Sequence, residues 1–182
     1  MSYEAVIGLE IHVQLATRTK LFCADATTFG APPNTQVCPV CLGLPGALPV
    51  PNRAAVELAV RAALGFNCTI HETSIFARKN YFYPDLPKGY QVTQFDRPIA
   101  TDGYLDAPAA DDRTERVHIR RIHLEEDAGK SIHDRFTGET AVDLNRTGVP
   151  LVEIVTEPDL RSAATARRFL DRLKQTLLYL EV

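Results

Sequence analysis

An α+β domain, with a mainly antiparallel sheet flanked by helices, is the fold class this sequence predicts. Three observations predict it. Residues 76–155 carry short apolar and aromatic runs separated by turn signals such as Asp102-Gly103 and Thr137-Gly138, the pattern of four or five mostly antiparallel strands. Before that block, Val56, Ala59, Val60 and Ala63 follow helical spacing; after it, Ala166, Phe169, Leu170, Leu173, Leu177 and Leu180 do the same.

Each element has a local reason. Tyr3 to Leu15 is a roughly alternating, β-branched run and reads as a strand. Residues 23–51 are dense in Gly, Pro, Asn and Cys and read as one long loop, a kind that is usually functional or metal-held. Asn52 is a good N-cap for the helix that follows, and Gly65 a plausible stop. The last helix starts after Ser162 and keeps its arginines on the polar face. It runs almost to Val182 with no capping glycine or polar tail, so the end reads as a truncation.

At 182 residues and 45% hydrophobic the chain can bury a real core. No apolar run approaches a membrane span, and the first ten residues carry Glu4 and Glu10 where a secretory signal would be basic. Four cysteines without an export signal point to a reducing compartment, hence the cytoplasm, where paired cysteines are more often metal ligands or inert than disulfides. A net charge of −3 argues against gripping nucleic acid over the whole surface. The local basic runs, Arg116, Arg120, Arg121 and Arg161, Arg167, Arg168, Arg172, Lys174, read as solvated faces.

Candidate chemistry gathers in three places. On a strand, Glu10, His12 and Gln14 share one face while Ile11 and Val13 point into the core. A second strand puts His123, Glu125 and Asp127 on one face, and a third carries Glu153 inside the apolar run Val152-Glu153-Ile154. If these strands converge, their oxygens and an imidazole suit Mg²⁺ or Mn²⁺ better than zinc; otherwise they are rungs making cross-strand pairs. The stretch from Arg78 to Gly89 is stiffened by Pro84 and Pro87, and its Lys79, Tyr81, Tyr83 and Lys88 could hold phosphate or stack, unless it is a rigid surface loop. Cys38-Pro39-Val40-Cys41 has the spacing of a zinc half-site, with Cys23 and Asp25 upstream. Cys68 could add a fourth thiolate only if the helix brought it back, and a buried free thiol is its simpler role.

Other chemistries fail on spacing. Ala128-Gly129-Lys130-Ser131 resembles the end of a phosphate-binding loop, but Leu124 stands where its first glycine is needed. The serines, Ser2, Ser74, Ser131 and Ser162, lie in no nucleophile elbow, which argues against glutamine hydrolysis by this chain.

Five stretches, Val6 to Leu15, Cys38 to Gly46, Arg78 to Gln91, Arg121 to Lys130 and Leu144 to Glu153, together resemble the GatB family, the B subunit of the tRNA-dependent amidotransferases, in the family order and over nearly all the chain. The resemblance implies the N-terminal part of a cradle-like catalytic domain, glutamine synthetase-like in character, spanning 1–182. The family's helical domain and tRNA-binding tail are then absent from these residues. It further implies that ATP phosphorylates the side-chain carboxylate of misacylated Glu-tRNA(Gln) or Asp-tRNA(Asn). Ammonia from a partner amidase (the A subunit), held with the small C subunit, then forms the amide. On that reading Glu10, His12, Glu125 and Glu153 hold Mg²⁺, while Gln14, Lys79, Tyr81, Tyr83, Lys88, Asn145 and Arg146 position ATP or the aminoacyl end. Many family members carry a second cysteine where this chain has Asp25, so Zn²⁺ on Cys23, Asp25, Cys38 and Cys41 is expected only if a Cys₃Asp set suffices. The alternatives are a zinc-organised RNA-binding module and a noncatalytic assembly module that docks the amidase.

Overall fold

A computed structural model describes residues 3–108 and 113–182. In chain order, β1 is Glu10–Gln14, α1 Pro39–Leu42, α2 Arg53–Gly65, β2 Thr69–Ile70, β3 Ala77–Asn80 and β4 Tyr90–Thr93. There follow β5 at Ala100–Pro108, β6 at Thr114–Glu126, β7 at Lys130–Phe136, β8 at Glu139–Asp143, β9 at Pro150–Thr156 and α3 at Ala163–Tyr179. The main sheet has the order β1-β9-β6-β5-β2 and every neighbouring pair is antiparallel. Two ribbons, β3-β4 and β7-β8, complete the α+β architecture.

Strand parity decides which face is wet. Ile11, Ile154, Ile122 and Ala100 form one rung, and Val13, Val152 and Leu124 the next; these belong to the apolar core. Against them pack Ala55, Ala59, Ala62 and Ala63 of α2 and Phe169, Leu173 and Leu177 of α3. The intervening residues of β1, β9 and β6 therefore share the opposite face. Phe169 is fully buried, and truncating such a side chain to alanine costs about 3–5 kcal/mol.

Both helix starts are as expected: Asn52 accepts from the Ala54 amide and Ser162 from the Thr165 amide. The helix end differs. Gly65 is the last residue of α2, and the left-handed residue is Asn67 at φ 56°. Gly65 instead lies under Leu180: a Cβ there would be 2.3 Å from Leu180 Cδ1, so the tip of that side chain would have to turn aside.

Four more expectations differ from the structure. The first strand is shorter than Tyr3 to Leu15, since only an isolated bridge at Ile7 precedes β1. Among the described residues, the region from residue 76 to 155 holds seven strands, because two short ribbons sit beside the long hairpin. Thr137-Gly138 does turn between β7 and β8, but Asp102-Gly103 lies inside β5, where Asp102 has φ 57° and the Tyr104 amide bonds to the Phe66 carbonyl. That dipeptide kinks a strand around the exit of α2. The long loop contains the one-turn helix α1, closed by Gly43 at φ 65°.

Candidate functional site

On the wet face, His12, Glu153 and His123 form a single rung across β1, β9 and β6. His12 Nε2 lies 3.3 Å from Glu153 Oε2 and 3.5 Å from Glu125 Oε1. His123 Nε2 lies 3.2 Å from Glu153 Oε2 and 3.7 Å from Glu125 Oε2. One ligand atom each from His12, Glu125 and Glu153 falls within 4.8 Å of the others, close enough to share one cation. Glu10 shares the face but stands a rung away opposite Val155, exposed and outside that set. Two residues along a strand are about 6.6 Å apart, which explains the separation. Gln14 is exposed at the other end, on the rung of Leu151 and Glu125.

Glu125 and Glu153 are buried carboxylates, so their charge needs partners. The hydrogen bond to His123 holds Glu153 below the usual glutamate range against the opposing effect of burial. Burial pushes Glu125 up, but hydrogen bonds to His123 and Thr93 outweigh it and hold it low. Burial works against a charged His123, yet its bonds to Glu125 and Glu153 raise its pKa above the ordinary value. The cluster thus keeps both carboxylates ionised, the state in which they bind a hard cation.

Glu125 is oriented from outside the sheet. β6 outruns β5, whose last pair is Ala100 with Ile122, and side chains of β4 and the residue after it cover the free edge. Gln91 Nε2 donates to Glu125 Oε1 at 2.5 Å and to the Glu126 carbonyl at 2.6 Å. Thr93 Oγ1 donates to Glu125 Oε2 at 2.9 Å, and Gln94 Oε1 accepts from the Leu124 amide at 3.0 Å.

The 78–89 segment sits beside this cluster. Lys79 is exposed on β3, and its charge helps lower both Glu125 and Glu153. Tyr81 is half-buried; burial, then the charges of Asp85 and Glu125, raise its phenol. Tyr83 is exposed and lines a shallow groove with Phe82, Pro84, Leu86, Pro87, Lys88 and Gly89. Lys88 differs from the expectation of a phosphate-facing lysine: its ammonium is buried in an ion pair with Glu126.

Asn145 and Arg146 hold loops. Asn145 accepts from the Gln36 amide at 2.9 Å and donates to the Pro32 carbonyl at 2.7 Å, tying the cysteine loop down. Arg146 donates to the Ala128 carbonyl at 3.0 Å and the Gly129 carbonyl at 2.6 Å, and meets Asp127 at 3.3 Å. Gly129 in turn bonds its amide to the Asp85 carbonyl at 2.8 Å, so the 128–131 stretch braces the 81–89 segment and is no phosphate loop.

The second cluster lies in the long loop. Cys23, Asp25, Cys38 and Cys41 each offer an atom within 4.8 Å of the others, and Cys68 is buried elsewhere. Cys41 Sγ is 3.7 Å from Cys23 Sγ, 3.9 Å from Cys38 Sγ and 3.2 Å from Asp25 Oδ2. Its hydrogen bond with Cys23 holds the Cys41 thiol down to about 6 and pushes Cys23 up. Lys20, at 0% exposure, donates to Cys41 Sγ at 3.3 Å and to the Gln36 carbonyl at 2.6 Å.

The family model for the GatB/GatE catalytic domain matches residues 5–182. The chain belongs to this family. It is 58% identical over 182 residues to the B subunit of the aspartyl/glutamyl-tRNA(Asn/Gln) amidotransferase of Persephonella marina, covering 100% of this chain and 38% of that relative. The same-named subunit of Rhodopirellula baltica is 59% identical over 180 residues, covering 97% of this chain and 36% of the relative. For Brevibacillus brevis the figures are 57% over 180 residues, 99% and 37%. The chain therefore spans somewhat over a third of the length of these relatives.

Several partners within the two clusters are not legible from residue order alone. His123 was visible on the right face, but only the strand pairing sets it opposite Glu153. Gln91 and Thr93 alternate on β4, a weak signal for a pair gripping one carboxylate. Lys20 had a better signal: a lone lysine next to Leu21-Phe22 just before a metal-spaced cysteine. The basic runs are mostly neutralised locally, Arg116 by Asp106, Arg120 by Glu157, Arg161 by Glu4 and Arg167 by Asp171. No helix among the described residues is long and apolar enough to cross a membrane.

Proposed function

We propose that this chain is the carboxylate-activating part of an ATP-dependent aspartyl/glutamyl-tRNA amidotransferase, working in the cytoplasm beside the amidase (A) subunit with the small C subunit. One observation carries the reading: His12, Glu125 and Glu153, from three strands, bring ligand atoms within 4.8 Å on the wet face of a catalytic-domain sheet. The glutamine synthetase-like, cradle-shaped character implied by the family resemblance belongs to this proposal.

The chemistry asks for this kind of face. A carboxylate cannot be amidated directly, because its charge is delocalised and hydroxide leaves badly. When a side-chain oxygen of Glu or Asp on the wrong tRNA attacks the γ-phosphorus of ATP, the P–O bond to ADP breaks. Ammonia then attacks the acyl carbon and phosphate departs. Such transfer needs positioning and charge neutralisation more than covalent help from the protein. Mg²⁺ held by His12, Glu125 and Glu153 would neutralise polyphosphate charge there. Gln91 and Thr93 keep Glu125 aimed. Lys79 adds an exposed positive charge, and Tyr81 stands on the adjoining segment. Keeping water out preserves the acyl phosphate.

Cys23, Asp25, Cys38 and Cys41 fit a structural Zn²⁺. Tetrahedral zinc with Zn–S bonds of about 2.3 Å requires sulfurs about 3.8 Å apart. The observed separations are 3.7 and 3.9 Å. Three thiolates and a carboxylate would leave a net negative site, which the buried Lys20 ammonium offsets.

The deciding experiment uses the assembled complex with the full-length chain. Glu125→Ala should retain glutaminase activity and lose acyl-phosphate formation. Unchanged transamidation would remove the cluster from the chemistry and favour an assembly module.

A further inference from the structure

Among the described residues, the guanidinium of Arg121 is a strand cation of the wet face that the chemistry above leaves without a task. Its place comes from a local irregularity. Between β6 and β9 the pairing steps from Ile119 with Thr156 to Arg121 with Val155, so Arg120 is an extra residue on β6. A bulge of this kind re-aims the side chains beyond it and is common beside active sites. Beyond it, Arg121, His123 and Glu125 alternate onto one face, and Arg121 shares a rung with Val155 and Glu10.

Its neighbours on β6 are paired off by acids: Arg116 bonds Asp106 at 2.7 and 2.8 Å, and Arg120 bonds Glu157 at 2.9 and 2.8 Å. Arg121 has no acidic partner among the described residues, and its Nε is buried without a hydrogen bond. One rung away, His123 Nδ1 is also buried and unbonded. The guanidinium is seated over the Phe95 ring at 4.9 Å, which fixes its plane without using its donors.

We propose that Arg121 is the oxyanion clamp of this site. Its fork takes an anionic group of the incoming substrate, a phosphate of ATP or the side-chain carboxylate. This rests on the activation reading above and names how that site grips an anion. Electrostatics demands such a group, because any substrate anion must approach Glu10, Glu125 and Glu153. A planar fork with unspent donors matches a carboxylate or phosphate edge better than a lysine point charge.

The test uses the complex containing the full-length chain, with steady-state kinetics for both substrates. Arg121→Met should raise one KM by about 10- to 100-fold while glutaminase activity and melting temperature stay native. A rise for ATP assigns the phosphate, and a rise for aminoacyl-tRNA the carboxylate. Arg121→Lys keeps the positive charge but not the planar fork, and should recover only part of the loss. Native KM values for both substrates overturn the proposal; if Arg121→Met does not fold, Arg121→Lys decides by the same criterion. Glu125→Gln is measured alongside. If it is inactive while the Arg121 variants have native KM values, the clamp alone fails; if it is fully active, the underlying reading fails.

Discussion

His12 and Glu153 are direct cross-strand partners, and His12 Nε2 stands 3.3 Å from Glu153 Oε2. An edge strand thereby delivers an imidazole to a carboxylate that the middle of the sheet keeps buried.

That delivery predicts a graded metal dependence. Gln91→Leu removes the donor that aims Glu125, and loss of such a supporting bond typically weakens metal affinity about 10- to 100-fold. His12→Ala removes a ligand and should weaken it at least as much. Titrating transamidation by the full-length complex with Mg²⁺ checks both; an unshifted half-saturation point in His12→Ala would remove that residue from the metal shell.

Lys88 and Glu126 form an ion pair with side-chain exposures of 7% and 3%. Removing one member of so buried a pair leaves an uncompensated charge and costs about 3–5 kcal/mol. Lys88→Met should therefore lower urea stability by about that amount, and the double variant Lys88→Met, Glu126→Gln by clearly less. Equal losses in single and double variants would mean that the charges are not coupled.

In the cysteine loop, Asp25→Cys completes a four-thiolate set. Zinc retained through dialysis against a chelator should increase over the parent protein, and proteolysis within residues 23–51 should slow. Cys41→Ser should do the reverse on both counts, because Cys41 Sγ lies 3.7 Å from Cys23 Sγ, 3.9 Å from Cys38 Sγ and 3.2 Å from Asp25 Oδ2. Equal zinc content in all three proteins, by elemental analysis, would exclude the site.

Burial pushes the Cys68 thiol up to about 12. At pH 9 an ordinary cysteine is mostly thiolate, whereas Cys68 ionises to about one part in a thousand, so iodoacetamide should label it slowly in the folded chain. The folded pKa lies above the unfolded one, so this group's contribution to stability is complete below about pH 8.5 and falls as pH rises towards 12. Peptide mapping after timed alkylation at pH 7 and pH 9 measures the effect; labelling of Cys68 as fast as a free thiol would contradict it.

What could be read from residue order alone was local chemistry and parity. Asn52 and Ser162 announce their helices because a cap satisfies amides two or three residues away. The alternation in Glu10-Ile11-His12-Val13-Gln14 fixes which side chains share a face because a strand repeats every two residues. The five family motifs supplied the likeness, and the family model bears it out.

Only the tertiary structure decided which polar residues meet. Strand order β1-β9-β6 puts residues 12, 153 and 123 on one rung, and a shift of one residue in either register would have scattered them. It left Glu10 a rung away, committed Lys88 to Glu126, turned Asn145 and Arg146 to bracing loops, and buried Lys20 beside Cys41. Cap and parity depend on neighbours in the chain, whereas these partnerships depend on strand register and on loop packing between segments that the chain order alone does not bring together.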